Sequence, residues 1–454
     1  MSDRIKNLMK IALREYLNEV NLQSLKKNAI STIAVSIFNI DVLEWLSAQP
    51  HSNKFYWSDR DKKEEIGSVG ILCKIKENPL LNERALFQKI SEILGDSSTE
   101  VRFYGGMKFN LSQANSQEWQ AFGSSYFFIP IFESVRSPDG VHLRYNFKLG
   151  DKEKNVDAIE KFEFAFSQLN FDLNKIDLKL PAVHKTVEIP SQKEWFKMIE
   201  RALHLISNGE LEKIVLARKS CFFFQTELDP VQLLGKLKKY GENSFIYFLQ
   251  LDRIHSFLGA TPEQIYNRKD QEIISEAIAG TRPRGAKLAE DQKLASSLLS
   301  DEKEIREHNW VCLDVEKGMN RLCKKIKKSR KNKVLKLAFV QHLHREYQGF
   351  LKPAVTDKEI LETLHPTPAV AGYPREKSKK FIYELEGFDR GWYAGPIGWI
   401  GKMASQFAVA IRSALLKGRD LTLFAGAGIV AGSDSEKEWQ EIENKILNFT
   451  KILS

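Results

Sequence analysis

The stretch SQFAVAIRSALLKGRDLTLFAGAGIVAGSDSEKEWQEIENK, Ser405–Lys445, decides the fold class. SQFAVAIRSALL and DLTLFAGA carry the branched and aromatic residues of strands, and Lys417-Gly418-Arg419-Asp420 reads as the hairpin joining them. Glycines follow, then a helix rich in carboxylates. Working outward, LEKIVLARKSCFFF, NSFIYFLQL, VLKLAFVQHLHREY and WYAGPIGWI read as further strands. So do VRFYGGMKFN and SSYFFIPIFESV, with SPDG as a turn before VHLRYNFKL. Ser191 and Glu194 form a capping box that opens a helix ending at Asn208-Gly209. Hairpin-linked strands with helices between them indicate an α+β protein, not a parallel βαβ one.

The C-terminal helix has acids in an unexpected place. At about 100° per residue, Trp439, Ile442, Ile446 and Phe449 share one side. Lys437, Gln440, Glu443, Asn444 and Lys451 lie opposite, toward water. Glu438, Glu441 and Lys445 fall on or beside the apolar stripe. A helix expected over 301–326 repeats the pattern: Val311, Val315, Leu322 and Ile326 mark its inner face, Glu304 and His308 lie on it, and Glu307 borders it. Buried carboxylates are costly unless paired or bound to a cation. Two readings fit: a shared hard-cation site, for which carboxylate oxygens favour magnesium, or a salt-bridge network with Glu441 and Lys445 as an i,i+4 pair.

Composition narrows the classes. The chain has 454 residues, 43% hydrophobic and 28% charged, an ordinary globular balance. No run approaches the roughly 18 apolar residues of a membrane span, and the charged, interrupted N-terminus gives no signal peptide. Four scattered cysteines without a CxxC pair suit a reduced, cytoplasmic chain. Much of the +9 charge sits in KKIKKSRKNKVLK, which lacks the aromatic interleaving of a base-stacking surface and reads as a solvated helix end and loop. No nucleic-acid or membrane partner is expected. GxSxG, Walker A and GxGxxG are absent, and His342 and His344 have no Cys or HExxH companions for zinc. No internal repeat is visible. KLPAVHKTVEIPSQ is the best candidate linker, dividing an N-terminal region, 1–185, from a catalytic region, 186–454.

Nine motifs in order, EKIVLARKS, FLGATPEQIYNR, EAIAGTRPRG, REHNWVCLDV, VQHLHREY, LHPTPAVAGYPRE, GWYAGPIGW, FAVAIRSALL and FAGAGIVAGSDSEKEWQEIENK, closely resemble the chorismate-utilising enzymes. That family includes isochorismate synthase, salicylate synthase and anthranilate synthase component I. FYWSDRDKKEEIGSVG, FYGGMKFN and YFFIPIFE more loosely resemble isochorismate synthases of the menaquinone-pathway type.

The resemblance implies a fold of two large antiparallel sheets stacked as a sandwich with flanking helices, with 1–185 integral to it. It implies a magnesium-dependent site for chorismate. Glu307 and Glu441 match metal-binding glutamates, and Glu304 and Glu438 match neighbours reaching the metal directly or through water. Arg412, Lys445 and the backbone of Gly426, Ala427 and Gly428 match groups that hold substrate carboxylates. Gly280, Thr281, His342 and Tyr393 match positions lining the substrate pocket. Lys213 matches the general base and Glu263 the general acid. Ala279 stands where aminodeoxychorismate synthases carry a nucleophilic lysine, and Lys213 where anthranilate synthases carry glutamine. The implied reaction is therefore water-dependent isomerisation of chorismate to isochorismate; the alternative is salicylate synthase, which adds pyruvate elimination. One acid and one base suffice, to protonate the leaving C4 hydroxyl and deprotonate the water entering at C2. A monomer is expected, without a glutamine amidotransferase subunit.

Overall fold

The computed structural model describes residues 1–19, 29–38, 40–76, 83–149 and 155–453. The first half runs α1 (Ser2–Glu19), β1 (Ile30–Ile37), α2 (Val42–Ala48), β2 (Lys54–Ser58), β3 (Glu65–Val69) and β4 (Cys73–Lys76). It continues through α3 (Glu83–Asp96), β5 (Arg102–Met107), β6 (Ser125–Ile129), β7 (Phe132–Ser137), β8 (Gly140–Lys148), α4 (Asn155–Ser167) and β9 (Val183–Ile189). The second half opens with α5 (Gln192–Ser207), β10 (Lys213–Phe224), α6 (Pro230–Tyr240), β11 (Phe245–Gln250), β12 (His255–Thr261) and β13 (Gln264–Lys269). A long excursion follows: β14 (Glu272–Pro283), α7 (Leu288–Ser300), α8 (Glu302–Leu322), β15 (Cys323–Lys328), β16 (Lys333–Lys336), β17 (Val340–Leu351), α9 (Asp357–Leu364), β18 (Gly372–Tyr373) and α10 (Arg375–Glu386). The chain closes with β19 (Pro396–Gly401), β20 (Ala404–Val409), β21 (Ser413–Lys417), β22 (Asp420–Val430) and α11 (Ser435–Leu453).

These strands build two antiparallel sheets. One runs β1-β8-β7-β3-β2-β11-β12-β21-β22-β10-β18, with β9 beside β10; the other runs β15-β17-β14-β13-β20-β19-β5-β6-β4, with β16 beside β17. Both orders are palindromic in topology. Outward from the β2–β11 pair, β2, β3, β7, β8, β1 mirror β11, β12, β21, β22, β10; outward from β5–β19, β5, β6, β4 mirror β19, β20, β13. The repeat that the side chains do not display is thus present in the strand order. Aromatic rings fill the space between sheets: Phe55 of β2 meets Tyr104 of β5 at 4.9 Å between centroids, and Phe257 of β12 meets Trp392 at 6.2 Å. Helices cover outer faces, α11 and α5 on β22, α10 on β10 and α8 on β14. In α1, Ile5, Met9, Leu13 and Leu17 form the buried i,i+4 stripe expected of an amphipathic surface helix.

Several elements differ from the sequence reading. SSYFFIPIFESV and SQFAVAIRSALL are not single strands. Each changes sheet midway, at Pro130-Ile131 and at 410–412, because a strand buried on both ends can serve two sheets if its backbone bends between them. VLKLAFVQHLHREY breaks at 337–339 into β16 and β17. The 301–326 helix stops at Leu322; from Cys323 the chain is strand, since pairing with β17 overrides the helical preference of a lysine run. The basic run is therefore edge strand rather than helix end, and lysines on an edge discourage pairing with other chains. The candidate linker contains β9, which pairs with β10 from Val183 to Ile189. The capping box at Ser191–Glu194, the Asn208 cap and the two-residue hairpin at Gly418-Arg419 are as expected.

Because β2 pairs with β11 and β5 with β19, both sheets draw on both halves. A fragment 186–454 expressed alone would expose β11 and β19 as long apolar edges. We expect it to show no cooperative thermal transition by circular dichroism, whereas the full chain melts as one unit.

Candidate active site

Among the described residues the chain passes six times from one sheet to the other, and two of these crossings carry chemistry. Between β12 and β13 lie Pro262 and Glu263; between β20 and β21 lie Ala410, Ile411 and Arg412. The crossings are tied together: Val409 N–H donates to the Glu263 carbonyl at 2.9 Å, and Ala260 N–H donates to the Arg412 carbonyl at 3.2 Å. Arg412 takes φ 50°, the left-handed region that non-glycine residues rarely occupy, which is how the strand turns out of one sheet into the other.

Beside them opens a cavity of about 220 Å³, walled by both sheets, α8 and α11. Glu263, Gly280, Thr281, Glu304, Glu307, His342, Tyr393, Arg412, Gly426, Gly428, Glu438, Glu441 and Lys445 all line it. Two residues singled out in the sequence do not. Ala427 alternates to the opposite side of β22 and packs in the core, as the period-2 geometry of a strand requires. Lys213 is fully buried directly behind the wall. Its Nζ donates to Glu307 Oε1 at 2.8 Å, so Glu307 stands between it and the cavity.

Glu263 is 4% exposed. Burial pushes its carboxyl up to about 7, against the opposing pull of the Thr367 hydroxyl, Lys213 and Arg412. Thr367 Oγ1 donates to Glu263 Oε1 at 3.1 Å, and Thr261 Oγ1 accepts from the Glu263 backbone N–H at 3.2 Å. A carboxyl held this way retains its proton near neutral pH and can donate it. Burial also brings His342 down to about 3, with the Arg412 charge adding to the effect. Its Nδ1–H donates to the Gly280 carbonyl at 3.0 Å and its Nε2 accepts from Arg412 Nη2 at 2.9 Å. These partners fix one neutral tautomer, which serves to orient Arg412 and leaves no nitrogen for a metal. Burial lowers Arg412 to about 10. Tyr393 stacks on Phe424 with centroids 5.2 Å apart.

The acids of α8 and α11 face one another across this space. Burial and then the charge of Glu307 raise the Glu304 carboxyl; burial and then Glu441 raise that of Glu438, with Glu307 adding to it. Glu307 itself lies below the usual range, because Lys213 and Lys445 outweigh the burial that would raise it. Each acid has a temporary partner: Glu304 takes the Thr281 N–H and Arg282 Nη1, both at 3.0 Å, and Glu441 takes Lys445 Nζ at 2.6 Å. Lys303 approaches Glu438 at 3.9 Å. Among the described residues no three acids, histidines or cysteines are already gathered as a ligand cage. The donor chemistry nevertheless fits a hard divalent cation: four carboxylates line one cavity, the charges of Glu307 and Glu441 raise the proton affinity of Glu304 and Glu438, and a cation relieves that repulsion. His308, placed by periodicity on the same face, turns away and meets Cys312 Sγ at 3.3 Å.

The glycine-rich segment is not a helix junction. Gly426 and Gly428 lie within β22, and α11 begins only at Ser435. They are glycines for closeness: a Cβ on Gly428 would come within 3.0 Å of Glu307 Oε1 and Lys213 Cε. Among the described residues β21 pairs with β22 no further than Leu423, so from Phe424 onward one edge of β22 has no strand neighbour and can offer backbone groups to a ligand. Lys445 Nζ reaches the Gly426 carbonyl at 2.8 Å. Gly280, at φ +72°, lets β14 bulge beside Glu304. Glu443, expected toward water, remains partly exposed and also pairs with Arg218, a fully buried side chain whose guanidinium stacks 3.7 Å over Trp439. Thr367, Arg282 and Lys303 were not singled out from sequence. Only their spatial neighbours reveal them.

Comparisons with known proteins place the chain in a family and a fold. The profile of the family described as "Chorismate binding enzyme" matches residues 15–454. Isochorismate synthase MenF of Escherichia coli (strain K12) is 31% identical over 423 residues, 91% of this chain and 90% of that one. Isochorismate synthase 2, chloroplastic, of Arabidopsis thaliana is 35% identical over 375 residues, 81% of this chain; the match spans 66% of that protein, about two thirds of its length. The solved structure of MenF, the menaquinone-specific isochorismate synthase from Escherichia coli, superposes with a TM-score of 0.85 at 28% identity, covering 98% of this chain and all of that one. Anthranilate synthase component I from Streptococcus pneumoniae shares the fold, with a TM-score of 0.72 at 23% identity over 86% of this chain and 92% of that one.

The raised carboxyl of Glu263 has a consequence for stability. Its folded value, about 7, exceeds the roughly 4.3 of an unfolded glutamate. Stability is therefore unaffected below about pH 4.3 and is lost as pH rises through about 7, by on the order of 3 kcal/mol. In Glu263→Gln this loss is absent. The difference in melting temperature, variant minus wild type, should be small at pH 5 and grow toward pH 8; a flat or falling difference would contradict the buried acid.

Proposed function

The chain belongs to the chorismate-binding enzymes, and we infer that it is an isochorismate synthase, an isomerase that moves the hydroxyl of chorismate from C4 to C2 with water as the entering group. The observation that carries this reading is Glu263, a buried carboxyl pushed up to about 7, in a cavity that sets Arg412 and Lys445 beside four further glutamates. Glu263 protonates the departing C4 hydroxyl. Lys213, acting as the neutral amine once its ammonium has given up a proton and its contact with Glu307, takes the proton from water arriving at C2. With Ala at 279 no amine nucleophile stands before the Gly280-Thr281 pair, so water is the group added.

The substrate carries two carboxylates. Arg412, held by the neutral His342, offers a guanidinium whose partner among the described residues is that one ring nitrogen. Lys445 and the unpaired edge of β22 at Gly426 and Gly428 supply the second anion site. Tyr393 and Thr281 line the pocket between them. Glu304, Glu307, Glu438 and Glu441 are the residues that would hold a magnesium ion, directly or through water. Bound there, magnesium supplies fixed positive charge against the ring carboxylate.

The direct test is incubation with chorismate and magnesium, followed by chromatography. Isochorismate as the main product is expected; salicylate with pyruvate would make the chain a salicylate synthase instead. Lys213→Ala and Glu263→Gln should each lower kcat by at least about 100-fold, the usual scale of acid–base assistance. Unchanged turnover in both would reject these roles.

Glu441 is half-exposed, so its loss should spare the fold. We expect Glu441→Ala to remove activity and the response to added magnesium while leaving the melting curve near that of the wild type. Full wild-type activity in excess chelator would contradict the glutamate metal site.

A further inference from the structure

Arg60 lies in the turn between β2 and β3, in the half of the chain that contributes none of the residues assigned above. Its guanidinium crosses into the other half. Nη1 donates to the Pro262 carbonyl at 3.0 Å and to Glu276 Oε2 at 2.8 Å, and Nη2 makes a second bond to Glu276 Oε1. Glu276, on β14, has a side chain 2% exposed, and His344 Nε2 of β17 stands 3.4 Å from it. The Pro262 carbonyl belongs to the peptide bond whose nitrogen is that of Glu263. One arginine therefore grips the backbone immediately before the acid and pairs with a buried carboxylate whose charge bears on Glu263.

We propose that Arg60 and Glu276 are a positioning pair for Glu263, fixing the Pro262–Glu263 peptide at the sheet crossing and balancing the charge around the acid carboxyl. The proposal rests on Glu263 being the acid of the reaction. A two-pronged arginine–carboxylate pair is close to neutral as a unit and geometrically stiff. Removing either partner leaves the other without its paired charge, Glu276 with only His344 beside it or Arg60 with the more distant Asp61 and Glu346. The two losses act on Glu263 with opposite sign: an unpaired Glu276 disfavours the carboxylate form, and an unpaired Arg60 favours it. The other groups facing Glu263 are unchanged in either case. These are Lys213 from β10, Arg412 from the second crossing, Tyr393 and the Thr367 hydroxyl. Around the pair itself stand His344 and Glu346 of β17 and Asp61 of the turn.

The test is the alkaline limb of the pH profile of kcat/KM with chorismate, which reports the acid of the free enzyme. Arg60→Met should move this limb up and Glu276→Gln should move it down, each by about half a pH unit or more. The double variant should return it near the wild-type position. Arg60→Lys, which keeps the charge but loses the fork, should lower kcat and leave the limb in place. Limbs that coincide, or that shift in the same direction, overturn the proposal. If circular dichroism shows Arg60→Met unfolded, Glu276→Gln decides alone, and an unmoved limb there overturns it. Failure of the acid assignment is separate: it shows as an alkaline limb that persists, with undiminished turnover, in Glu263→Gln.

Discussion

Two backbone hydrogen bonds hold the rest of the site in register, from Val409 N–H to the Glu263 carbonyl and from Ala260 N–H to the Arg412 carbonyl. They pin two sheet crossings side by side. A crossing is where a strand leaves one hydrogen-bonded ladder and has not yet entered the next, so its backbone groups need other partners. Each crossing here satisfies the other. The side chains of Glu263 and Arg412 are then directed by backbone that cannot shift without breaking both sheets. The left-handed φ of Arg412 is tolerated for the same reason: the surrounding ladders over-determine it. Precision in placing an acid and a cation comes from rigid elements, not loops.

The first half of the chain repeats this arrangement without its chemistry. Its crossings are likewise tied, Leu72 N–H to the Ile129 carbonyl at 2.9 Å and Ile131 N–H to the Val69 carbonyl at 3.2 Å. The topological counterparts of Glu263 and Arg412, the residues just before β13 and β21, are those just before β4 and β7, namely Leu72 and Ile131. Both are apolar and pack against the core. The same backbone device serves packing in one half and polar placement in the other. Only the second half gains the long excursion from β14 to α10, and with it α8, Thr367 and the wall opposite α11.

Local signals in the sequence went as far as local physics allows. Caps, the Gly418-Arg419 hairpin and the inward turn of Glu438 and Glu441 follow from side-chain spacing within one element, and all three were legible. The sheet crossings were not. SQFAVAIRSALL reads as one strand because its apolar pattern continues through Arg412, and periodicity cannot say that the partner strands change there. The lysine run after Cys323 misled for a related reason: its fate was set by β17, far along the chain. Among site residues, Lys213, Glu263 and Arg412 are visible through the motifs that contain them. Arg60 is different. It matters through a carbonyl and a carboxylate more than 200 residues away, contacts that no spacing rule encodes.

The acids on α8 and α11 show why such a site costs stability. Four carboxylates line one cavity, and two of them, Glu304 and Glu438, are pushed toward the protonated form by burial and by the charges of Glu307 and Glu441. Apolar replacements there would relieve that repulsion, so packing alone gives no reason for the acids. What holds the arrangement meanwhile is a set of cations, each lent to one acid: Lys213 to Glu307, Arg282 to Glu304, Lys445 to Glu441. Two of these lenders, Lys213 and Lys445, are also the groups assigned to water activation and substrate binding. In those roles each would exchange its glutamate for a reaction partner, and a bound cation would be the glutamates' replacement partner. On the proposed function, the ion pairs of the site would hold Lys213 and Lys445 until substrate and cation bind.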